Sequence, residues 1–549
     1  MQIYQIDLSG VGGIVPSSPK SLEQLVYFGK DNQTVSGFYN PFPYPGYMAP
    51  LSTVRRTMSK TQNTPLEVTC LFDFGTGKFM SASTDGYINV WSSPDSTSAS
   101  SVIDLGSRSI GIYDFEVYQL NGVRKVFFTS FNNPNGFVGV TDGTTATYNW
   151  SNGATSSLYT GSVTGAGTFS AVPFLRVASN GFMYIFESSN VHKVDGTTAG
   201  GSAGTITANV LTVNSSLKIT DAVDWRNMMY IGVQDQNLST STYPLLTGLP
   251  DQYNFQGNCG VYIWDRVSTQ VGTRDFIPIY GAKKINRIFV AHDGRLRLIC
   301  TTSDNKTQLR EFTGSSFEVI FEMNYNAAPT GYWDSLFING YGTFWVCNDQ
   351  SIYCHGKPGY GFDNAVYRVG KVFGTTQNFS IGYLYFASVG EENGSEAYFT
   401  SSIDSISAPN SRVTKIFFNF SGTPSGSSTG GGYADGTIIK TKVFDLPFLS
   451  NIGNINVFFA PITGSTGTAV RGAIKVYFNN STTAFKTQNV TLNDLAKGYI
   501  TIPINKQFVN NIQFGIDYTT ADAYTSFGIT TEMMPKKATF EYFPTATKK

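Results

Sequence analysis

Hydrophobic and polar residues alternate along this chain in a pattern that returns seven times. Each repeat has an apolar run, a tight turn containing Gly or Asn, and further alternating strand residues, as in GKFMSASTDGYINVW from Gly77. The repeats are anchored at Gly77, Gly122, Gly181, Asn227, Gly294, Gly342 and Gly382, with separations of 45, 59, 46, 67, 48 and 40 residues. This period predicts a radial array of four-stranded blades, since one blade cannot bury both of its faces alone. The expected fold is all-β, with a β-propeller of about seven blades.

Differences in composition divide the chain into four segments. Residues 1–65 carry no repeat and are predicted to form an N-terminal strap, while residues 66–420 hold the predicted propeller. Residues 421–435 begin SGTPSGSSTGGG, which is the composition of a flexible linker. Residues 436–549 return to alternating runs such as NINVFFA and AIKVYFN. These runs predict a smaller β-sandwich or jelly-roll-like domain after the propeller.

The strap contains a proline-aromatic segment, FYNPFPYPGYMAPL. Its prolines exclude a central strand or a helix, because each one removes a backbone donor and fixes φ. We expect an extended segment laid either on the chain's own propeller or on a neighbouring subunit. The aromatic residues expected to make these contacts are Phe38, Tyr39, Phe42, Tyr44 and Tyr47. The run from Ile3 to Leu8 is a candidate closing strand for the last blade.

The charge balance narrows the classes of function. Lys and Arg number 38, Asp and Glu also number 38, and charged residues make up only 14% of the chain. Without an excess of basic residues, the chain is not expected to bind nucleic acid sequence-specifically. A surface of Gly, Ser, Thr and Asn suits a protein that packs against copies of itself or against other proteins.

The N-terminal sequence and the cysteines bear on where the chain folds. MQIYQIDLSGVGG lacks the charged and apolar regions of a secretory signal, and no apolar stretch is long enough for a membrane span. The five cysteines are Cys70, Cys259, Cys300, Cys347 and Cys354. Their odd number and spacing favour neither a disulfide framework nor a zinc site, so we expect a reducing cytoplasm, no metal and no cofactor.

A polar position recurs before the repeat anchors. Asp114, Asn286 and Asp334 each lie eight residues before an anchor glycine, and Asp221 lies six residues before Asn227. Since the first strand of each blade lines the channel of a propeller, these side chains are expected to cluster at one channel mouth. Such a ring would suit a cation or the carboxylate pair of a glycosidase. A structural role, in which the side chains satisfy backbone donors, is the interpretation we favour.

Histidines and tryptophans are the remaining candidates. His192, His292 and His355 do not approach one another in the repeat register, and they lack the spacing of a metal or nucleophile motif. Trp150, Trp225 and Trp333 lie nearer the predicted blade edges. They are candidate surface aromatics for stacking on a sugar or a partner protein.

Two resemblances follow from these segments. DGYINVW and GVYIWD resemble fragments of WD40 blades, without the Gly-His and Asp-His pairing of that family. In overall organisation the chain resembles propeller-containing virion proteins of tailed bacteriophages. The shared features are a composition rich in Gly, Asn, Ser and Thr, a proline-aromatic N-terminal segment, a propeller and a compact C-terminal β domain. That resemblance implies a tube, nozzle or host-facing protein of the phage tail and no catalytic residue.

The sequence thus leads to one main expectation and two alternatives. We expect a non-enzymatic virion component, made in the host cytoplasm, that assembles with other virion proteins and with copies of itself. The first alternative is a module that binds a glycan or receptor on the host surface. The second is a propeller glycosidase or lyase that uses Asp114, Asp221 and Asp334.

Overall fold

A computed structural model shows that the regular structure of the described residues is almost all β-strand. The structure describes residues 2–8, 35–36, 52–57, 68–73, 79–83, 86–91, 100–107, 110–120, 122–154, 163–165, 167–196, 204–236, 259–304, 306–323, 336–339, 342–346, 351–356, 365–371, 384–387, 396–401, 412–417, 431–433, 438–460, 466–517, 533 and 535–544. The proline-aromatic segment, including Phe38, Tyr39, Phe42, Tyr44 and Tyr47, lies outside these residues.

Three N-terminal strands precede the repeats. They are β1 (Gln2–Asp7), β2 (Val35–Ser36) and β3 (Ser52–Thr57).

Six consecutive sheets of four antiparallel strands follow, each paired in chain order. The first sheet comprises β4 (Val68–Asp73), β5 (Phe79–Ser83), β6 (Tyr87–Trp91) and β7 (Ser101–Asp104). The second comprises β8 (Gly111–Leu120), β9 (Val123–Asn132), β10 (Asn135–Thr141) and β11 (Ala146–Thr147). The third comprises β12 (Phe174–Val177), β13 (Met183–Glu187), β14 (Asn190–Asp195) and β15 (Thr205–Thr212). The fourth sheet comprises β16 (Leu217–Trp225), β17 (Met228–Asp235), β18 (Gly260–Trp264) and β19 (Phe276–Pro278). The fifth comprises β20 (Ala282–Val290), β21 (Leu296–Thr302), β22 (Thr307–Phe312) and β23 (Phe317–Met323). The sixth comprises β24 (Leu336–Asn339), β25 (Gly342–Val346), β26 (Ser351–Gly356) and β27 (Ala365–Lys371). Short 3-10 turns lie at Trp150–Asn152 and Thr273–Asp275.

The seventh sheet combines residues from both ends of the repeat region. It contains β28 (Leu384–Ala387), β29 (Glu396–Ser401), β30 (Arg412–Phe417), β3 and β31 (Gly431–Tyr433). The prediction that Ile3–Leu8 closes the last blade is therefore wrong, because Ser52–Thr57 pairs with β30 instead. The segment predicted to carry no blade thus contributes a strand, and so does the predicted linker, through β31.

Successive sheets pack face to face around their first strands, which gives a propeller-like arrangement. The first strands β4, β8, β12, β16 and β20 lie side by side in that order, and β28 lies next to β4. Apolar clusters join each sheet to the next from the first to the sixth, for example Phe127 of β9 with Leu175 of β12. Burial of these shared faces is the main stabilising contribution to the array.

The remaining strands form one continuous eight-stranded sheet. They are β32 (Ile438–Thr441), β33 (Phe444–Phe459), β34 (Val470–Phe478), β35 (Lys486–Thr491), β36 (Tyr499–Asp517) and β37 (Pro535–Pro544), joined by β1 and β2. The short helix α1 (Leu492–Lys497) begins with a capping box between Thr491 and Asp494. β1 pairs with β37, so the chain's N-terminal strand belongs here. The sheet's core is continuous with Phe344 of the sixth four-stranded sheet.

Candidate functional site

β-bulges on the first strands of three sheets orient the recurrent polar residues. The ladder shifts register immediately before Asp114 on β8, before Asp221 on β16 and before Arg287 on β20. A bulge inserts one extra residue and re-aims the following side chain. In each case the side chain after the bulge reaches toward a neighbouring sheet.

Asp114 connects the second sheet to the third. Its Oδ2 accepts a hydrogen bond of 2.9 Å from the backbone N–H of Leu175 on β12. The same oxygen lies 3.3 Å from Nη1 of Arg176. Asp114 is only 3% exposed, so its charge is matched by protein donors rather than by water.

Asp221, two sheets further on, also binds a backbone N–H and a guanidinium, and it lies near a second guanidinium. Its Oδ2 accepts a hydrogen bond of 2.8 Å from the backbone N–H of Ile288 on β20. Its Oδ1 accepts one of 2.6 Å from Nη2 of Arg176, whose Nε donates to the carbonyl of Ala222 at 3.0 Å. Nε of Arg287 lies 3.5 Å from Oδ2 of Asp221.

These four side chains, Asp114, Arg176, Asp221 and Arg287, form an inter-sheet polar row. The row crosses from the second sheet to the fifth with alternating negative and positive charge. Each carboxylate binds a backbone donor and a guanidinium of a neighbouring sheet, as buried charges require. The row therefore fastens adjacent sheets together at their first strands.

The other two predicted members of the ring differ. Asn286 is the bulged residue itself, and its Oδ1 accepts a 2.8 Å hydrogen bond from Thr301 on the second strand of the same sheet. The equivalent bulged residue Thr220 also bonds within its own sheet, to the carbonyl of Gly232. Asn286 is therefore not part of the inter-sheet polar row, because Arg287 occupies the position that follows the bulge. The place of Asn286 in the predicted ring at the channel mouth stays a prediction. Asp334 lies outside the described residues.

The candidate surface tryptophans also differ from one another. Trp150 is fully buried, with its ring packed edge-to-face on Phe127, so its prediction as a surface aromatic is wrong. Trp225 is half-buried, and its indole N–H donates to the carbonyl of Gly294 in the fifth sheet at 3.1 Å. The Arg226 guanidinium covers its ring at 4.2 Å from the centroid. Trp225 therefore joins two sheets, and Trp333 lies outside the described residues.

Two histidines that were expected to stay apart come together between the fifth and sixth sheets. The ring centroids of His292 and His355 are 6.2 Å apart. Nδ1 of His355 lies 3.4 Å from Nη1 of the fully buried Arg297 and must accept, because arginine only donates. Arg297 also bonds Asp293 at 2.5 Å and Glu311 at 2.9 Å. Burial lowers the pKa of His292, an effect that Asp293 opposes and Arg297 reinforces.

The third histidine belongs to a separate cluster in the third sheet. Ser170 donates to Oε1 of Glu187 at 2.5 Å, and Nε2 of His192 lies 3.5 Å from Oε2 of the same carboxylate. Burial raises the pKa of Glu187, but the bonds from His192 and Ser170 outweigh it and hold that pKa below its ordinary value. The carboxylate stands between the serine and the histidine, unlike a nucleophile triad, in which the histidine is central.

Metal and membrane features complete the description. Within the residues that the structure describes, no group of three His, Cys, Asp or Glu is placed to hold a metal ion. Cys259, Cys300 and Cys354 are buried free thiols, and burial raises the pKa of Cys259 and Cys354. In the same part of the chain, no helix has the length and apolar character needed to cross a membrane.

Comparison with known proteins gives only distant structural similarities. No protein-family model matches this chain, and no curated protein matches it. Among solved structures, the WD40 repeats of RRP9 align with a TM-score of 0.37 and 13% identity, covering 68% of this chain and 99% of the other. The WD40 propeller domain of Doa1 aligns at 0.36 and 11%, covering 66% and 97%. An exo-beta-1,3-galactanase from Phanerochaete chrysosporium aligns at 0.30 and 8%, covering 89% and 100%. Identities and TM-scores this low carry no information about activity or partners.

Proposed function

We propose that this chain is a structural component of a bacteriophage virion, in the tail, that works by protein–protein assembly. The observation that carries the proposal is the inter-sheet polar row. A glycosidase needs carboxylates that are open to substrate and water. Asp114 and Asp221 are instead buried, and each holds a backbone N–H and a guanidinium of another sheet. The recurrent acids therefore support a scaffold more than a catalytic centre.

In this proposal the seven sheets close into a seven-bladed propeller, and the eight-stranded sheet is a second unit that faces partners. Two contacts support closure. β28 of the seventh sheet lies next to β4 of the first. β3, from the N-terminal side of the repeats, completes the seventh sheet beside β30. A strand from the start of the array that pairs in its last sheet ties the two ends together, much as closure removes free edges in other β folds.

The surface composition favours permanent contacts with other proteins. Charged residues make up 14% of the chain, and the formal net charge is zero. Charged groups are depleted from the cores of protein interfaces, because each one must lose its hydration on binding. A surface of small polar residues reduces that cost.

Purified virus particles provide the direct test. We expect mass spectrometry of density-gradient-purified particles from the producing host to find this chain at a fixed copy number. Immunogold electron microscopy should then place the label on the tail. If the chain is absent from purified particles but abundant in the soluble lysate, the virion proposal is wrong.

A further inference from the structure

Exposed apolar side chains concentrate on the eight-stranded sheet. Among the described residues, 11 large hydrophobic side chains are exposed, and seven of them lie on this sheet or in its turns. These seven are Ile3, Phe448, Leu449, Phe485, Tyr499, Phe508 and Phe543. All of the exposed phenylalanines are in this set. Exposed apolar side chains that gather on one part of a protein surface mark an interaction site.

Phe508 is held in an unusual backbone conformation that presents its ring to solvent. Its φ is 57°, in the left-handed region that bulky residues rarely adopt. Its N–H donates to Oδ1 of Asn451 on β33 at 3.2 Å, and its carbonyl accepts from Nδ2 of Asn479 at 3.1 Å. Two neighbouring elements therefore clamp the backbone, and the side chain remains 58% exposed. Backbone strain at a single residue persists only where the surrounding structure holds it, and it clusters at binding sites.

Three other exposed residues come from strands that flank this clamp. Asn451, which binds Phe508, pairs with Phe543 on β37. Phe448 and Leu449 lie on the irregular stretch of β33 directly before this pairing. We call Phe448, Leu449, Phe508 and Phe543 the aromatic rim.

The charge of the chain is divided between the part that carries the rim and the rest. Positions 436–549 contain 11 Lys and Arg and six Asp and Glu, a formal charge of +5. Positions 1–435 contain the other 27 Lys and Arg and 32 Asp and Glu, a charge of −5. Lys506, two residues from Phe508 and close to the ring of Phe485, adds positive charge beside the rim. Opposite charges on two parts of one chain favour contact between unlike parts of two copies.

We propose that the aromatic rim docks on the acidic 1–435 part of a second copy of this chain. This inference rests on the proposed assembly function and names the surface and the occupant. The contact is head-to-tail, since two different surfaces meet. Repeating such a contact gives a closed ring when the rotation closes, and a filament when it does not.

Sedimentation velocity on the full chain tests this contact over a range of protein concentrations. The main variant is Phe508→Gly, because glycine adopts the left-handed φ without strain and the fold is retained. We expect its self-association to weaken about tenfold, as for an interface aromatic. Association of the native chain should also weaken when salt rises from 50 mM to 500 mM, since screening shortens the reach of charge attraction.

A matched control lies on the same strand. Tyr499 is 47% exposed and stands nine residues from Phe508 along β36, a separation of at most about 30 Å. Tyr499→Ala should leave self-association unchanged. An equal loss in both variants would show that the rim is not the specific contact and would overturn the proposal.

A photo-reactive residue at position 508 identifies the occupant. We expect crosslinks between two copies, from position 508 of one to the 1–435 part of the other. Crosslinks into positions 436–549, or a chain that stays monomeric at all concentrations, would overturn the inference. If either result were obtained but the chain were still found in virus particles, the rim contact would be wrong and the proposed virion function would stand. Failure of the contact is therefore distinguishable from failure of the virion proposal.

Discussion

At the scale of single residues, the buried carboxylate of Asp221 connects three neighbours from the third and fifth sheets. Its carboxylate receives the Ile288 backbone N–H at 2.8 Å and an Arg176 nitrogen at 2.6 Å, with an Arg287 nitrogen at 3.5 Å. Asp221 is only 1% exposed, so water cannot replace a contact that its carboxylate loses. Breaking a buried pair is costly because it leaves the partner charge uncompensated.

Replacing Asp221 by Asn tests this dependence. The amide keeps the size of the side chain but removes the charge that faces Arg176 and Arg287. We expect the free energy of unfolding to fall by about 3 kcal/mol, as for other broken buried pairs. Urea unfolding followed by tryptophan fluorescence measures the change.

The matched control is Asp445→Asn on β33, where the carboxylate is exposed. Its effect should stay within about 0.5 kcal/mol, as for most surface substitutions. Equal stabilities for the Asp221→Asn chain and the native chain would show that the row does not hold the sheets together.

His292 gives a prediction for pH. Burial lowers its folded-state pKa, opposed by Asp293 and reinforced by Arg297, whereas its unfolded pKa is about 6.5. Between the two values the unfolded chain binds more protons, so stability is lost as pH falls below about 6.5. His292→Asn should therefore reduce the loss of stability between pH 7.5 and pH 5.5. A loss of the same size in both chains would contradict the pKa shift assigned to His292.

The inter-sheet polar row shows which of its members could be predicted from the sequence alone. Asp114 and Asp221 were found from their distance to the next turn, and the structure brings both onto the row. Asn286 was chosen by the same count, but the contact is made by Arg287, the residue after the bulge. Counting from a turn cannot locate a bulge, because the extra residue depends on pairing with the second strand. Arg176 was missed, because no carboxylate motif in the sequence points to a basic partner on the adjacent sheet.

At the scale of elements, β3 holds a central place in the seventh sheet. It lies between β30 and β31, and Val54 pairs with Lys415 on one side and with Gly431 on the other. The strand therefore depends on backbone hydrogen bonds in both directions. A residue without a backbone N–H at this position interrupts the ladder.

Val54→Pro tests the role of β3. We expect destabilisation of about 3 kcal/mol, similar to that of proline inside a helix, because proline also removes a ladder hydrogen bond in the middle of a sheet. Hydrogen exchange should accelerate most in residues 412–417, which form β30. Ser52→Pro, at the first residue of β3, is the control, because proline is tolerated where a strand begins. Unchanged exchange in β30 of the Val54→Pro chain would contradict the pairing.

Turn chemistry was predictable from the sequence, whereas the pairing of distant strands was not. Four of the seven repeat anchors, Gly122, Gly181, Asn227 and Gly294, have φ between 63° and 81°. They lie in the turns between the first and second strands of their sheets, where glycine and asparagine are favoured. The segment STVRRT of β3 gives no local indication of its partner, because its pairing with β30 joins opposite ends of the repeat region. Local patterns define strands, and only the packed fold selects their partners.

At the scale of the whole molecule, the array of four-stranded sheets shares an apolar core with the eight-stranded sheet through Phe344. The array is fastened by shared apolar faces and by the inter-sheet polar row. Among the described residues, the eight-stranded sheet and its turns carry seven of the 11 exposed large apolar side chains. Six of its eight strands lie in positions 436–549, whose formal charge is +5. Rigid scaffolds that present one apolar surface bind with little loss of conformational entropy.

Electron microscopy of the purified chain, combined with mass determination, tests the central claim that this scaffold assembles. We expect discs made of radially arranged sheets, joined into rings or filaments whose mass is a whole multiple of the 59.9 kDa chain. We also expect these assemblies to dissociate when Phe508 is replaced by Gly. Isolated discs of single-chain mass at every protein concentration would contradict the account.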